Sequence, residues 1–382
     1  MALTLGICGV GAFARCFIPL FKAHPLVGEV VLADLDADKL ARGAAEFGVR
    51  RTLPSLDALC DSDVDAIAII TQNWLHGPQA VQALQAGKHV YSAVPSAITV
   101  AEMTALVRAV EETGRLYMVG ETSYYYPSAV YCRQRCRQGD FGLIVYAEAE
   151  YYHDWDHGLY DVMRARAGDR WREFAGAPPM HYPTHSMSFV TSVTGAYATQ
   201  VSALGFVDRH EDGLYLPGAN RWGNTFSNEA ALLRMSDGSM CRISEFRRVG
   251  HPGTVRMSMH GTLGCFEDNL AGQAWGTKEG RELLGDLLEP RGVTRPDGLH
   301  FPGVSAAHDV ARLPRQFAGL PNGHLGSHQF LVDDFVTACA RGEQPPNNVW
   351  HAARYLLPGL LAHESALQGG KLLEVPDLGG GR

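Results

Sequence analysis

The feature that most constrains the fold stands at the start of the chain, where Gly9, Gly11 and Ala14 follow an apolar run, Leu3–Cys8. The run is typical of a buried strand, and helix-forming residues come after the glycines. Two glycines permit a tight turn and a close approach of the backbone to a pyrophosphate, and alanine lets the helix pack on the strand. The pattern predicts a dinucleotide-binding βαβ unit.

An acidic residue ends the next predicted strand. Asp34 follows residues 29–33, which are mostly apolar, and lies about twenty residues after the glycines. A carboxylate at this place can accept hydrogen bonds from the adenosine ribose hydroxyls and would repel a 2′-phosphate. Strand, turn, helix and acid together predict NAD as the cofactor, in preference to NADP. The alternative is an ordinary βαβ unit that binds no ligand.

Composition indicates an enzyme of two domains. A chain of 382 residues is too long for one compact core. The net charge of −8 argues against nucleic acid or an anionic membrane as partner. No apolar stretch reaches the ~20 residues of a membrane span, and no basic region precedes the first apolar run. The eight cysteines are scattered, so we expect reduced thiols and a cytoplasmic protein.

Two textures divide the chain into α/β domains. Up to about residue 122, strand and helix patterns alternate, which predicts a Rossmann domain with a doubly wound parallel sheet over 1–122. Beyond that, 123–382 is expected to form a substrate-binding and oligomerisation domain of α/β type. Its longer runs alternate between apolar and polar residues, which predicts a large open, mainly antiparallel sheet. An open sheet face is costly to leave wet, so we expect a homodimer or homotetramer through it.

Further motifs, in order along the chain, identify a resemblance. Residues 70–76 read Ile-Thr-Gln-Asn-Trp-Leu-His, residues 86–90 read Ala-Gly-Lys-His-Val, and residues 362–366 read Ala-His-Glu-Ser-Ala. With the glycine fingerprint, they resemble the glucose–fructose oxidoreductase, inositol dehydrogenase and MocA family along essentially the whole chain. The resemblance implies a Rossmann domain, a second α/β domain, a nicotinamide cofactor, and hydride transfer at a sugar or polyol carbon.

The resemblance also implies which residues contact the cofactor. The asparagine and the histidine of the 70–76 motif lie near the cofactor in the family. The complete set of expected cofactor contacts is Gly9, Gly11, Phe13, Ala14, Asp34, Thr71, Asn73, His76, Ala93, Pro95 and Glu121.

Three departures from the family pattern affect the expected chemistry. Val94 stands where the family has the lysine of a Glu-Lys-Pro motif, which usually positions the reacting hydroxyl and helps to move its proton. Residues 181–185 read His-Tyr-Pro-Thr-His where many members have Asp-x-Gly-x-His. Glu121 begins a Glu-Thr-Ser segment in place of the usual aromatic-Asn-Arg.

Histidines are therefore the predicted bases. Pro183 suits the start of a helix and Gly195 its end, which puts His185 in the first turn, where the helix dipole keeps an imidazole neutral. His185 also matches the family's substrate-domain histidine. His181 lies just upstream of that helix, and His153 follows a predicted strand. The alternative for His185 is a capping or buried histidine, and for His153 it is a solvated loop.

Substrate contacts are expected from residues near these histidines. Aromatic rings, carboxylates and imidazoles make a good sugar-binding wall, although a solvated loop or incidental packing would give similar patterns. The expected substrate-binding residues are Asp154, Trp171, Arg172, His324 and His328. No metal is predicted, because Pro183 interrupts the helical spacing that would bring two histidines together.

Three functions remain open from the sequence. The first is an NAD-dependent dehydrogenase of a sugar, polyol or sugar derivative. The second keeps NAD bound and cleaves a glycosidic bond through transient oxidation and elimination, with no net redox change. The third is a non-catalytic NAD-binding sensor.

Overall fold

The computed structural model describes residues 2–380, which form two compact units. The first, here called the nucleotide unit, comprises residues 2–130, 286–353 and 378–380. The second, the sheet unit, comprises residues 131–285 and 354–377. This division differs from the expected boundary after residue 122, since residues 286–353 return to the nucleotide unit.

The nucleotide unit contains a six-stranded parallel sheet in the order β3-β2-β1-β4-β5-β6. Its strands are β1 (Leu3–Cys8), β2 (Val27–Ala33), β3 (Arg51–Leu53), β4 (Ala66–Ile69), β5 (His89–Ser92) and β6 (Tyr117–Val119). Its helices are α1 (Ala12–Ala23), α2 (Ala37–Phe47), α3 (Leu56–Cys60), α4 (His76–Gln85) and α5 (Val100–Thr113), and α6 (Pro127–Gln138) leads out of it. The strand order reverses between β1 and β4, which is where such sheets bind ligands.

Hydrogen bonds between side chains and backbone amides define the start of α5. The Thr99 side chain accepts a hydrogen bond from the Glu102 amide at 3.1 Å, and the Glu102 carboxylate accepts one from the Ile98 amide at 3.0 Å. This exchange begins α5, and Gly114 ends it with a φ of 63°.

The returning segment completes the core of the nucleotide unit. It contains β15 (Val293–Thr294), β16 (His300–Phe301), α11 (Gly323–Arg341) and the start of α12 (Val349–Leu367). Phe335 of α11 packs edge-on against Tyr91 and Phe21, with ring centroids 5.6 and 6.4 Å apart. Burial of these large rings stabilises the packing of the segment on the nucleotide unit. No local sequence pattern predicts a contact between residues so far apart along the chain.

The sheet unit contains nine strands in the order β14-β13-β12-β11-β7-β10-β9-β8-β17. All neighbours are antiparallel except β7 and β10, so the mainly antiparallel open sheet is confirmed. The strands are β7 (Ile144–Tyr152), β8 (Ala198–Val207), β9 (Phe226–Met235), β10 (Met240–Phe246), β11 (Thr254–Gly261), β12 (Gly264–Asn269), β13 (Gly272–Thr277), β14 (Arg281–Leu283) and β17 (Leu373–Glu374). The helices are α7 (Leu159–Ala167), α8 (Trp171–Ala175), α9 (Thr184–Thr194) and α10 (Gly285–Leu288) at the junction.

The two faces of this sheet differ. Alternate residues of β7, β10 and β11, such as Ala149, Ile243 and Met257, are buried on the side on which α9 packs, here called the helix face. The intervening residues, such as Glu148 and Arg242, lie on the opposite side, the open face. Among residues 2–380, no helix is long and apolar enough to cross a membrane.

Candidate cofactor cradle and histidine cluster

The turn after β1 requires glycine at position 9. Gly9 has a φ of 94°, and a Cβ there would lie 2.4 Å from the backbone oxygen of Ile70. Gly11 precedes α1, and a Cβ there would meet nothing within 4 Å. No side chain caps α1, so its first amides remain available for a phosphate, and Ala14 in its first turn is fully buried. The local geometry therefore fits a dinucleotide.

Asp34 is held as an ionised acceptor beside this turn. Its carboxylate accepts hydrogen bonds from the amides of Val10 at 2.8 Å and Asp36 at 3.0 Å, and Lys39 lies 3.1 Å away. Partial burial opposes ionisation, but these amides and the lysine outweigh it and lower the pKa of Asp34. A fixed carboxylate at the end of β2 suits the ribose hydroxyls of NAD.

The loops after β4 and β5 are joined by a histidine. His76 is buried, and its ring nitrogens lie 2.9 Å from the Pro95 oxygen and 3.3 Å from the Thr71 oxygen. The Thr71 hydroxyl is 2.5 Å from the side-chain oxygen of Gln79. His76 thus orients both loops, and Asn73 begins a short turn, Asn73–Leu75, directly before it.

Three other expected cofactor residues near these strand ends are also buried. Ala93 and Pro95 lie at the end of β5 with little exposure. Glu121 follows β6 and is fully buried, and it accepts hydrogen bonds from the Ser123 amide at 2.9 Å and hydroxyl at 2.8 Å. This bonding organises the turn Thr122–Tyr125. Its contact with a cofactor stays a prediction.

His324 and His328 lie in the nucleotide unit, beside the helix that follows the glycine turn. Their rings are 5.5 and 5.8 Å from the half-buried Phe13, and their Nδ1 and Nε2 atoms are 2.8 Å apart. Burial lowers the pKa of His328 to about 3, so its ring is neutral. Nearby in α11, the Asn322 side chain accepts a hydrogen bond from the Gln329 amide at 3.1 Å. These two expected sugar contacts therefore lie beside the glycine turn, which together with Asp34 and the loops joined by His76 we call the cofactor cradle.

His185 occupies the predicted place in the sheet unit. It lies in the first turn of α9, which Pro183 precedes and Gly195 ends with a φ of 76°. Its buried ring packs edge-on against Tyr151 at 5.1 Å and Tyr182 at 5.4 Å. These contacts orient the imidazole before any ligand arrives.

Tyr151 connects two of the three predicted bases. Its hydroxyl lies 2.6 Å from Nδ1 of His153, and its ring packs on His185. Burial, followed by the positive charge of Arg247, lowers the pKa of His153 to about 4. Both features favour a neutral His153 at pH 7.

A buried acid beside this pair was not predicted. Glu245 is fully buried on the helix face and accepts a hydrogen bond from the Ser186 hydroxyl at 2.6 Å, with Arg247 at 3.3 Å. Burial raises the pKa of Glu245 to about 7, against the opposing effects of Arg247, Ser186 and His185. An acid at an inward position of an alternating strand was the signal that could have found it. We call His153, Tyr151, His185 and Glu245 the histidine cluster.

His181 belongs to a different buried group. Its ring lies 5.2 Å from that of His363, whose Nδ1 is 2.7 Å from the carboxylate of Glu229. Burial, with a smaller effect of His363, lowers the pKa of His181 to about 3. His181 therefore packs on His363, whereas His153 and His185 share contacts with Tyr151.

The other predicted substrate residues have structural contacts of their own. Asp154 accepts hydrogen bonds from the amides of Asp156 at 2.9 Å and Val249 at 2.6 Å, which fixes the loop after β7. Trp171 and Arg172 line a cavity of about 460 Å³ together with Trp155, Tyr160 and Asp212. The Arg172 guanidinium lies 5.2 Å over the Trp171 ring. Substrate contact at these positions stays a prediction.

Comparison with known proteins supports the cofactor and the fold. Residues 3–121 match the family GFO_IDH_MocA, described as "Oxidoreductase family, NAD-binding Rossmann fold". A "Glycosyl hydrolase family 109 protein" of Streptomyces niveus is 26% identical over 98% of this chain and 77% of its own length. A 4-carboxy-2-hydroxymuconate-6-semialdehyde dehydrogenase of Sphingobium is 30% identical, over only 37% of this chain and 45% of its own.

Solved structures extend the likeness to the whole fold. A levoglucosan dehydrogenase in complex with NADH and levoglucosan has a TM-score of 0.76 at 20% identity, covering 99% of this chain and 100% of that one. A myo-inositol 2-dehydrogenase from Lactobacillus plantarum has a TM-score of 0.69 at 20% identity, covering 98% and 100%. The expected resemblance, the NAD cofactor and the assignment as an oxidoreductase are confirmed.

Proposed function

Because its N-terminal domain belongs to this NAD-binding oxidoreductase family, we propose that the chain removes hydride from a hydroxyl-bearing carbon of a sugar, polyol or sugar derivative. The observation that carries the proposal is the histidine cluster. It offers an oriented imidazole in a protein that has Val94 where the family has its lysine.

His185 is the proposed base. Oxidation of a secondary alcohol requires a group that takes the hydroxyl proton, and a positioned imidazole is well suited to that work near neutral pH. NAD, when bound, supplies the hydride acceptor. The edge-on contacts with Tyr151 and Tyr182 hold the ring of His185, which reduces the freedom lost on reaching a reactive arrangement.

Glu245 is proposed as the positioning residue behind His185. A buried carboxyl with a pKa near 7 can be protonated or ionised at working pH, so it can adjust its charge to that of a nearby imidazole. His153, bonded to Tyr151, is the second candidate for the base. Burial and the positive charge of Arg247 lower the pKa of His153, which weakens it as a proton acceptor.

The remaining predicted residues divide between the cofactor and the sugar. The glycine turn, Asp34 and the loops joined by His76 are proposed to hold NAD. We place His324 and His328 with this group, because they pack on Phe13. Trp171 and Arg172, with Asp154 shaping the adjacent loop, are proposed to bind the sugar.

A second candidate function is redox-neutral cleavage of a glycoside through transient oxidation. The relative from Streptomyces niveus, which matches 98% of the chain, bears a glycosyl hydrolase name, and Val94 removes the lysine typical of the dehydrogenases. Both functions begin with the same loss of a proton and hydride, so the same residues serve either.

Incubation with NAD and a panel of sugars, polyols and aryl glycosides separates the functions. NADH absorbance and release of the aglycone are followed together. Net dehydrogenation accumulates NADH in proportion to product. Cleavage releases aglycone while NADH stays at the level of the enzyme. A protein that binds NAD but does neither with the whole panel is a sensor, and the proposal is then wrong.

We also propose self-association through the open face. Leu204, Phe206, Leu232 and Met240 lie on its adjacent strands β8, β9 and β10, and each is about 60% exposed or more. Such a patch is costly in water, and a second copy presents the same apolar surface. Light scattering should give a dimer or tetramer that Leu232→Glu dissociates and Leu270→Glu, in an exposed turn, does not. A monomeric wild type would refute it.

The cytoplasmic location is likewise a proposal. All eight cysteines are free thiols, which suits a reducing compartment. Fractionation of the native host, with the protein recovered in the cytoplasmic fraction, is the expected result.

A further inference from the structure

A cluster of three different types of metal ligand lies on the open face at strands β11 and β12, away from the apolar patch on β8, β9 and β10. In the antiparallel pair β11–β12, His260 stands directly opposite Cys265. Glu267 follows two residues later and so shares the face of Cys265. One ligand atom from each of the three side chains lies within 4.8 Å of the other two. No second group of this kind is found among residues 2–380.

We propose that His260, Cys265 and Glu267 bind a zinc ion. An imidazole nitrogen, a thiolate sulfur and a carboxylate oxygen are the three donors that Zn²⁺ accepts, and three protein ligands leave a fourth tetrahedral position for water. Sulfur and nitrogen donors disfavour Ca²⁺ and Mg²⁺, which require oxygen ligands. The inference does not rest on the proposed oxidoreductase activity.

One neighbour orients the His260 ring, and another leaves room for the Cys265 sulfur. The His260 ring stacks on Tyr146, with centroids 6.0 Å apart and an interplanar angle of 28°. Gly276 stands opposite Cys265 on β13, and a Cβ at that position would come within 2.8 Å of the Cys265 sulfur. A glycine there therefore leaves space for the sulfur to turn toward a metal.

The local charge also favours a cation. His260 and Glu267 line a cavity of about 440 Å³ on the open face. Four carboxylates line it, and only two guanidinium groups do. The carboxylates are those of Glu148, Glu150, Glu267 and Asp268, and the guanidinium groups are those of Arg242 and Arg256. Arg242 lies 2.8 Å from Glu148, and Arg256 pairs with Glu150. The carboxylates of Glu267 and Asp268 are therefore left to balance a bound cation.

Binding involves one proton transfer. The Cys265 thiol releases its proton to the buffer as the sulfur–zinc bond forms, while His260 binds as the neutral ring and Glu267 as the carboxylate. The ion would tie β11 to β12 at their connecting turn. No oxidation occurs, since zinc does not change its redox state.

Metal content and a cobalt spectrum test the site in the full-length protein. The protein is stripped with a chelator, given one equivalent of Zn²⁺, passed through a desalting column and analysed for metal. A parallel sample receives Co²⁺, whose bond to a thiolate gives a charge-transfer band in the near ultraviolet. The variants are Cys265→Ser, His260→Ala and Glu267→Gln. Cys136→Ser is the matched control, because both thiols are half-buried in the sheet unit.

The wild type and Cys136→Ser should retain about one equivalent of zinc and show the cobalt–thiolate band. Cys265→Ser should lose the band, and each ligand variant should weaken binding by about tenfold or more. All four variants are checked by circular dichroism, and the half-exposed positions should tolerate the changes. Lack of the band in the wild type, or equal zinc content in Cys265→Ser, would overturn the proposal.

Discussion

The cofactor cradle and the histidine cluster differ in how far apart their residues lie along the sequence. In the cradle, the distances that matter are local, as Gly9, Gly11 and Asp34 are joined by one βαβ unit. In the cluster, Tyr151, His185 and Glu245 come from β7, α9 and β10, which only the sheet register brings together. A sequence pattern shows residues that are a short distance apart along the chain directly. It does not show the register of strands that are far apart along the chain.

The largest expected effect tests whether the histidine cluster contributes to turnover independently of NAD binding by the cofactor cradle. His185→Asn keeps approximate shape but removes the basic nitrogen, so turnover should fall by about 10²–10⁴-fold. Affinity for NAD should hardly change, because no residue of the cradle is altered. Steady-state kinetics and NAD titration on one preparation check both, with the exposed His300→Asn as control. An equal loss of NAD affinity would show that His185 supports the cofactor pocket instead.

Glu245 gives the next effect, on stability. Its pKa is raised from 4.5 to about 7, so its contribution to the free energy of unfolding is present below pH 4.5 and is lost as pH rises through about 7. Between pH 5 and 8 the wild type should lose roughly 3 kcal/mol relative to Glu245→Gln. Urea unfolding across this range measures the difference.

The exposed Glu364→Gln should track the wild type in that series, since an exposed carboxyl contributes little to such a difference. Parallel pH dependence of the wild type and Glu245→Gln would mean that Glu245 is ionised throughout. The cluster would then lack its adjustable charge.

Much of the fold could be predicted, and the reasons are physical. Parallel strands buried on both faces give continuous apolar runs, as in β4, and open sheets give alternating ones, as in β7. The helix bearing His185 was predicted because proline and glycine mark its ends. The return of residues 286–353 was missed, because packing of Phe335 on Tyr91 leaves no local pattern.

The same distinction explains the site residues. The sequence predicts that His324 and His328 bind the sugar. Their contact with Phe13 arises because residues 286–353 return to the nucleotide unit. Glu245 was overlooked because a single acid in a strand usually faces solvent. Knowledge of the strand register would have put it inward.

Asp34→Ala sharpens the account of the cradle. It removes acceptors for the ribose and the repulsion of a 2′-phosphate, so NAD affinity should fall about 10- to 100-fold. NADP should bind the variant better relative to NAD than it binds the wild type. Calorimetric titration with both cofactors decides, with the exposed Asp38→Ala as control. Tighter binding of NADP than NAD by the wild type would make the assignment of Asp34 wrong.

The smallest expected effect concerns Val94. If the histidine cluster takes the hydroxyl proton, a lysine at position 94 has no proton to accept. Val94→Lys should then not raise turnover. Val94→Leu controls for the larger side chain. A large gain with lysine would show a conventional site that merely lacks its base, and the histidine cluster would lose its proposed role.

Transfer of deuterium tests the central claim, hydride removal from a sugar carbon, most directly. A sugar that turns over in the panel is prepared with deuterium on its carbons and mixed with excess enzyme and NAD, and the reaction is quenched within one turnover. Mass spectrometry of the cofactor should find deuterium in the reduced form for the wild type, in net oxidation and in redox-neutral cleavage alike, and far less for His185→Asn. Product formed while the cofactor stays unlabelled at every time point would contradict the account.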